Sequence, residues 1–297
     1  MIPNMLWKDE VLHQSKKLIK VYKDELESLN MYEYAKNCKE EKTDGAIGGK
    51  DEEETKKHFS ERFLTSSARV QFVVLDPKKY FLEISKDLKS TFSSGYISVL
   101  DIPCGTGAGI LSLLSNLAEL RQFSKVPRLP LYIDILGGDY SKSALHLYSR
   151  LLNKLTLELE KELIYINYDI FEWDASDMVS TNILTSKWLK NEDKYEEFYI
   201  LMSAFSGVGS SNYKRFEESF KFIQNRICHQ PSTIIFIEPN TIEARNFTEK
   251  VAKTFVKLFS WLIGKEESTN GERFSWYDEI RNNTAKSEVL VKQYSRK

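Results

Sequence analysis

The sequence predicts an α/β fold in which a doubly wound, seven-stranded, mostly parallel sheet follows an N-terminal helical region. Three observations carry this reading. From residue 96 onward, short runs rich in β-branched and aromatic residues alternate with longer amphipathic stretches, a pattern that calls for right-handed crossovers and a sheet covered on both faces. A glycine-rich turn follows the first such run. The chain closes with two strand-like runs, RFSWY and EVLVKQY, with no long helix between them, which predicts an antiparallel hairpin at one sheet edge.

At the N-terminus, Val11, Ser15, Leu18, Ile19, Tyr22, Leu26 and Leu29 recur at three- and four-residue steps, the spacing of one packed helix face. Residues 39–57 hold three glycines and dense charge of both signs. So few apolar groups cannot offset ordering entropy, and a mobile linker or loop is expected there. Beyond it, Pro77 is expected to open a helix that carries Phe81, Ile84, Leu88 and Phe92 on one side. The expected divisions are a helical segment at 1–38, the linker at 39–57, a helical cap region at 58–95 and the ligand-binding domain at 96–297.

The strand candidates are YISVL (96–100), LYIDILGG (131–138), LIYINY (163–168), FYILMS (198–203) and STIIFIE (232–238), each bounded by turn formers or charge. Helix patterns lie at 109–123, 141–160, 213–227 and 242–263. A helical insertion is expected between the third and fourth strands.

Composition narrows the function classes. In 297 residues, Lys and Arg number 42 against 43 Asp and Glu, so the global basic excess of many nucleic-acid binders is missing. The three cysteines form no Cys-x-x-Cys pair, which supports neither a disulfide framework nor a cysteine-built zinc site. A reducing, cytoplasmic compartment is expected. No run has the length and apolarity of a membrane span, and MIPNMLWKDE shows no apolar signal core. The histidines show no metal-ligand spacing, and no Gly-x-Ser-x-Gly elbow is present. No metal is expected.

The most informative stretch is VLDIPCGTGAGILSLL (99–114), where an apolar strand ends in Asp101 and runs through Gly105, Gly107 and Gly109 into a helix. Glycines let the backbone turn tightly and approach a ligand. A dinucleotide fingerprint has Gly-x-Gly-x-x-Gly directly after the strand, whereas this chain has Gly-x-Gly-x-Gly and an acid at the strand end. That carboxylate would oppose a pyrophosphate and suits a ligand with an amino group and a sulfonium. Farther on, Asp139 ends the second strand in GDYS, where an acid can accept both hydroxyls of a ribose. Ser141 is placed to cap the next helix.

DIPCGTG (101–107) together with GDYS resembles the class I S-adenosylmethionine-dependent methyltransferases, which have a Rossmann-like fold. The resemblance covers about two thirds of the chain. It implies S-adenosylmethionine as cofactor, with Asp101, Pro103, Gly105 and Gly107 in the first motif, Asp139 on the ribose and Tyr140 packed on adenine. It further implies that Asp169 reads the adenine amino group, that Ile170 or Phe171 packs on the ring, and that Ser203 lines the transfer site at the end of the fourth strand. Cys104 reads as a small buried turn residue.

The fourth-strand segment LMSAFSGVGSS lacks both the Asp/Asn-Pro-Pro-Tyr/Phe pattern of nucleic-acid amino methylation and the Lys-Asp-Lys-Glu set of ribose methylation. A small-molecule acceptor is therefore favoured over nucleic acid or protein, neither of which is excluded. His58, Glu61, Tyr96 and Glu238 are unranked candidates for a general base, and the catalytic residues stay unassigned. A nicotinamide oxidoreductase and a methyltransferase-like partner subunit without transfer activity are the alternatives, the first disfavoured by Asp101.

Overall fold

The computed structural model describes residues 2–38, 51–205, 210–259, 265–268 and 271–296. In chain order the elements are β1 (Trp7–Lys8), β2 (Val11–His13), α1 (Lys16–Ser28), α2 (Tyr32–Asn37), α3 (Glu52–Leu75) and α4 (Leu82–Thr91). Then follow β3 (Gly95–Asp101), α5 (Ala108–Gln122), β4 (Leu131–Asp139), α6 (Lys142–Glu160), β5 (Ile164–Glu172) and α7 (Met178–Trp188). The last set is β6 (Glu197–Ser203), α8 (Glu217–Ile227), β7 (Ser232–Pro239), α9 (Ile242–Phe259), β8 (Lys265–Ser268), β9 (Glu272–Asp278) and β10 (Asn283–Arg296).

All strands join one sheet in the order β1-β2-β9-β10-β7-β6-β3-β4-β5, with β8 paired to β10. The five strands from β5 to β7 are mutually parallel, and β10 is antiparallel to both β7 and β9. Strand alternation divides the apolar residues between two cores. Ile97, Val99, Ile133 and Ile135 face α5 and α6. Leu100, Leu136, Phe198 and Ile200 face the other way, toward Leu184 of α7, Phe220 of α8 and Phe247 of α9. The sheet is doubly wound as expected. Its order reverses at β3, which has β4 on one side and β6 on the other, and ligands in open α/β sheets bind at such a point outside the carboxyl ends of the strands.

Several sequence expectations are corrected. Seven strands match the expected set, but the described residues hold ten, because the N-terminal region contributes β1 and β2 and the short β8 precedes β9. Val11, expected at the start of a helix, lies in β2 and pairs with β9, covering an edge that would otherwise expose unpaired backbone groups. The terminal hairpin consequently lies inside the sheet. Helix α1 begins only after Ser15, whose hydroxyl accepts from Leu18 N. The expected linker falls largely outside the described residues, and its last part is helical. Asp51 caps α3 by accepting from Glu54 N at 2.8 Å, while Glu52, Glu53 and Glu54 lie in the first turn, where negative charge meets the positive helix end. Pro77 does not open α4, which starts five residues later.

Two buried charges tie layers together. Glu25 of α1 is fully buried and pairs with Arg150 and Lys154 of α6, both at 2.7 Å. Arg121, near the end of α5, donates to the carbonyls of Ser93, Leu129 and Glu162 at 2.7–2.8 Å. It thereby fastens the segments that lead into β3, β4 and β5.

The paired glycines at the end of β4 are dictated by packing. A Cβ on Gly137 would lie 2.8 Å from the Tyr148 ring, and one on Gly138 would lie 2.9 Å from Ile102 Cγ2. Both contacts are shorter than packed atoms accept. Gly138→Ala is therefore expected to destabilise the protein by about 1–3 kcal/mol through overpacking, read as a lower urea midpoint. An unchanged midpoint would show that Ile102 has room to move.

Candidate functional site

The carboxyl ends of β3 and β4 are bound into one unit by backbone groups. Past Asp101 the chain passes through a cis Ile102–Pro103 peptide. Ile102 N donates to Leu201 O of β6 at 3.0 Å, and Cys104 N donates to Gly138 O of β4 at 3.0 Å. Gly107 N closes the turn on Cys104 O at 2.8 Å. Pro103 sits in this loop, half-buried, and Cys104 is buried against Gly137, 3.3 Å from the place a Cβ would take there. Burial pushes the Cys104 thiol up, and the nearby Asp139 and Asp101 push it the same way, which fits a packed turn residue rather than a nucleophile.

The three motif glycines have different reasons. Gly107 has φ +87°, and its Cβ would strike the Tyr148 ring at 2.8 Å. Gly109 lies against Ser203 Oγ, 2.5 Å from the place of a Cβ. Gly105 alone of the three, at φ +50°, has no atom within 4 Å of a Cβ position. It is the glycine that leaves space for a ligand.

Asp139 fastens the two loops. Its Oδ2 accepts from Gly105 N at 2.8 Å and its Oδ1 from Ser141 N at 2.9 Å, and Ser141 in turn caps α6. Burial raises the Asp139 carboxyl above its ordinary range, opposed by hydrogen bonds from the backbone of Ser141, Gly105 and Tyr140. A carboxylate has about four acceptor positions, so with three backbone donors it keeps one for a further donor. Tyr140, the next residue, is 70% exposed at the carboxyl end of β4.

Asp101 differs from every other acid around it. It is fully buried, and neither carboxylate oxygen has a hydrogen-bond partner. Burial pushes its pKa up to about 8; the Tyr148 hydroxyl pulls it back in part, and Asp139 raises it further. The Tyr148 hydroxyl faces Asp101 without completing a bond of ordinary geometry, and it too has no partner. A buried unpaired carboxylate is costly, and a cation brought to it would relieve that cost.

Asp169 does not join this group. The sequence places the third strand's end at Tyr168, but β5 runs on to Glu172, and Asp169 pairs in register with Leu136. That position lies on the α7 face of the sheet, opposite Asp101 and Asp139, and the Asp169 carboxylate pairs with Lys187 of α7 at 2.7 Å. Ile170 lies in register with Gly137 on the α6 face and is partly buried against that core. The strand itself ends at Glu172, in register with Asp139, and the next acid is Asp174, just past Trp173, whose N donates to Asp139 O at 2.8 Å. Asp174 Oδ1 accepts from Ser176 N at 2.8 Å. Ser203 ends β6 beside Gly109, on the far side of the loop from Asp139.

The candidate bases fare unequally. Tyr96 lies at the amino end of β3, opposite the cleft, with its ring stacked 4.6 Å from Tyr132. Glu238 is buried and accepts from Phe205 N at 2.8 Å, holding the loop after β6. Glu61 accepts from the Tyr34 hydroxyl at 2.5 Å. His58 has its pKa lowered by burial first and by Arg62 second. Asp134, within β4, is held by Lys194 and Tyr195. Among the described residues no group of three His, Cys, Asp or Glu is placed to hold a metal ion, and no helix is long and apolar enough to cross a membrane.

No family model matches the chain, and no curated protein matches it. Among solved structures it is similar to a provisionally named RNA methyltransferase from Pyrococcus horikoshii, at 12% identity over 90% of this chain and 97% of that one, with a TM-score of 0.39. It is also similar to an S-adenosylmethionine-dependent O-methyltransferase from Thermotoga maritima, at 10% identity over 75% and 70% of the two chains, with a TM-score of 0.35. A provisionally named class I S-adenosylmethionine-dependent methyltransferase from Listeria monocytogenes matches at 14% identity over 95% and 87%, with a TM-score of 0.35.

The role of Asp139 as a clasp carries a stability cost. Asp139→Ala removes both acceptors and leaves the Gly105 and Ser141 N–H groups without them, so a loss of about 1.5–3 kcal/mol is expected, read by urea unfolding. An unchanged stability would mean that water or the neighbouring backbone replaces the carboxylate at no cost.

Proposed function

We propose that the protein is an S-adenosylmethionine-dependent methyltransferase acting on a small-molecule acceptor. The observation that carries this reading is Asp101: a buried carboxylate without a partner, at the switch point of a doubly wound sheet, beside a glycine with open space above it. A ligand there must bring positive charge, which an S-adenosyl amino acid does and a dinucleotide pyrophosphate does not. Asp101 would take the ammonium, Gly105 the close backbone approach, Asp139 the ribose hydroxyls and Tyr140 one face of the adenine. Asp174, rather than Asp169, would stand beside the adenine amino group, because β5 delivers it to the carboxyl edge. When bound, the cofactor supplies a methyl group activated on a sulfonium.

What the chain must then do is align. An in-line displacement needs the acceptor atom held opposite the departing sulfur, and such positioning can contribute ~7–11 kcal/mol without a side-chain nucleophile. Ser203 and Phe205, the latter anchored by Glu238 through its N, would stand on the acceptor side. A general base is needed only for an acceptor protonated at neutral pH, and no such role is assigned. The small-molecule acceptor rests on the missing nucleic-acid motifs in LMSAFSGVGSS and on the near-zero net charge.

Two measurements test the reading. Methyl-labelled cofactor incubated with the protein and fractionated lysate should place label in the small-molecule fraction; label in RNA, DNA or protein would reassign the acceptor. For the cofactor site, a 2′-deoxyribose analogue of S-adenosylhomocysteine is expected to bind the wild type at least tenfold more weakly than the parent compound. The same analogue should lose much less in Asp139→Ala, since one interaction cannot be lost twice. Equal losses in the two proteins would remove Asp139 from the ribose.

A further inference from the structure

The Tyr148 ring is housed at a cost to two separate segments. Gly107, opening α5, and Gly137, in β4, each lack the side chain that would collide with it at 2.8 Å. The ring is wholly buried between them, and its hydroxyl acts on Asp101; the two oxygens of Asp101 and the Tyr148 oxygen itself all lack hydrogen-bond partners. An ordinary core position would be served by phenylalanine, since a buried hydroxyl without a bond is destabilising.

We infer that Tyr148 is a positioning residue whose hydroxyl orients the Asp101 carboxylate toward the ligand's ammonium group and stabilises it once it is charged. The inference rests on the proposed cofactor reading and deepens it: three oxygen atoms from β3 and α6, rather than one carboxylate, form the receptor for the cation. The ionisable groups acting on Asp101 are Tyr148 from α6, Asp139 from β4 and Cys104 from the intervening loop. No lysine or arginine among the described residues shifts it. The hydroxyl is thus the single donor available to favour the charged carboxylate before a ligand arrives.

The sign of the resulting pH dependence follows. Asp101 titrates at about 8 in the folded chain and near 3.9 unfolded, so the native state holds the extra proton between those values. Its contribution to stability is full below about pH 4, is lost progressively as pH rises through 8, and changes no further above that. A donor that favours the carboxylate lowers the folded value; removing it must move the loss to higher pH.

The test compares urea midpoints of the ligand-free wild type, Tyr148→Phe, Asp101→Asn and the double variant from pH 5 to 10. In Tyr148→Phe, which keeps the ring, the pH-dependent loss is expected to move up by roughly one unit. In the Asp101→Asn background the same change should move nothing. A second readout is the affinity for S-adenosylhomocysteine at about pH 6.5, well below the Asp101 pKa, expected to fall about tenfold in Tyr148→Phe, the equivalent of one pKa unit. An unshifted pH profile in Tyr148→Phe, or the same shift with and without Asp101, would overturn the inference and leave Tyr148 a packing residue. If the wild type binds no S-adenosyl ligand, the functional reading falls, while the ligand-free profiles still decide whether Tyr148 acts on Asp101.

Discussion

A carboxylate removed from water without a partner is among the least favourable groups a fold can contain, and this chain keeps one at the centre of its sheet. Asp101 is completely buried, its oxygens are unpaired, and its pKa is pushed up to about 8. The surrounding architecture accounts for how this is sustained. The loop after β3 is fastened to β4 by Cys104 N and to β6 by Ile102 N, and Asp139 grips it again through Gly105 N. A proton on Asp101 removes the worst of the electrostatic cost in the free protein. A cation from the ligand would replace that proton in the complex.

The glycines around the site express the same constraint from the packing side. Gly107 and Gly137 make room for the Tyr148 ring, Gly138 for Ile102, and Gly109 for Ser203. Each allows β3, β4, β6, α5 and α6 to meet more closely than side chains permit. Gly105 is the exception, because nothing in the chain fills the space above it. Spacing alone does not separate Gly105, with open space above it, from the four glycines that serve packing.

The legible part of the sequence was the part governed by local rules. The alternation of apolar runs and amphipathic stretches located the parallel strands, and DIPCGTG and GDYS fell on adjacent strand ends because strand-end acids and loop glycines answer to backbone geometry. The third strand was misread because β5 lies at the sheet edge. Its residues Asn167, Asp169 and Glu172 are exposed, so the polar stretch past Tyr168 looked like a loop and the continuation of the strand to Glu172 was missed. The acidic start of α3 was mistaken for linker because its cap, Asp51, was hidden in a charged run. The pairing of β2 with β9, the burial of Glu25 and the clasp made by Arg121 depend on partners distant in sequence. The role of Tyr148 was invisible for the same reason.

The central claim, that Asp101 exchanges a proton for the cation of an S-adenosyl ligand, is tested most directly by calorimetry of S-adenosylhomocysteine binding at pH 6.5 in buffers of different ionisation enthalpy. With a free-state pKa of about 8, the carboxyl is almost fully protonated at that pH, while the ligand's amino group is already charged. Release of close to one proton per ligand bound is expected of the wild type, and none of Asp101→Asn. Binding whose heat is independent of the buffer in the wild type, or equal proton release in both proteins, would contradict it.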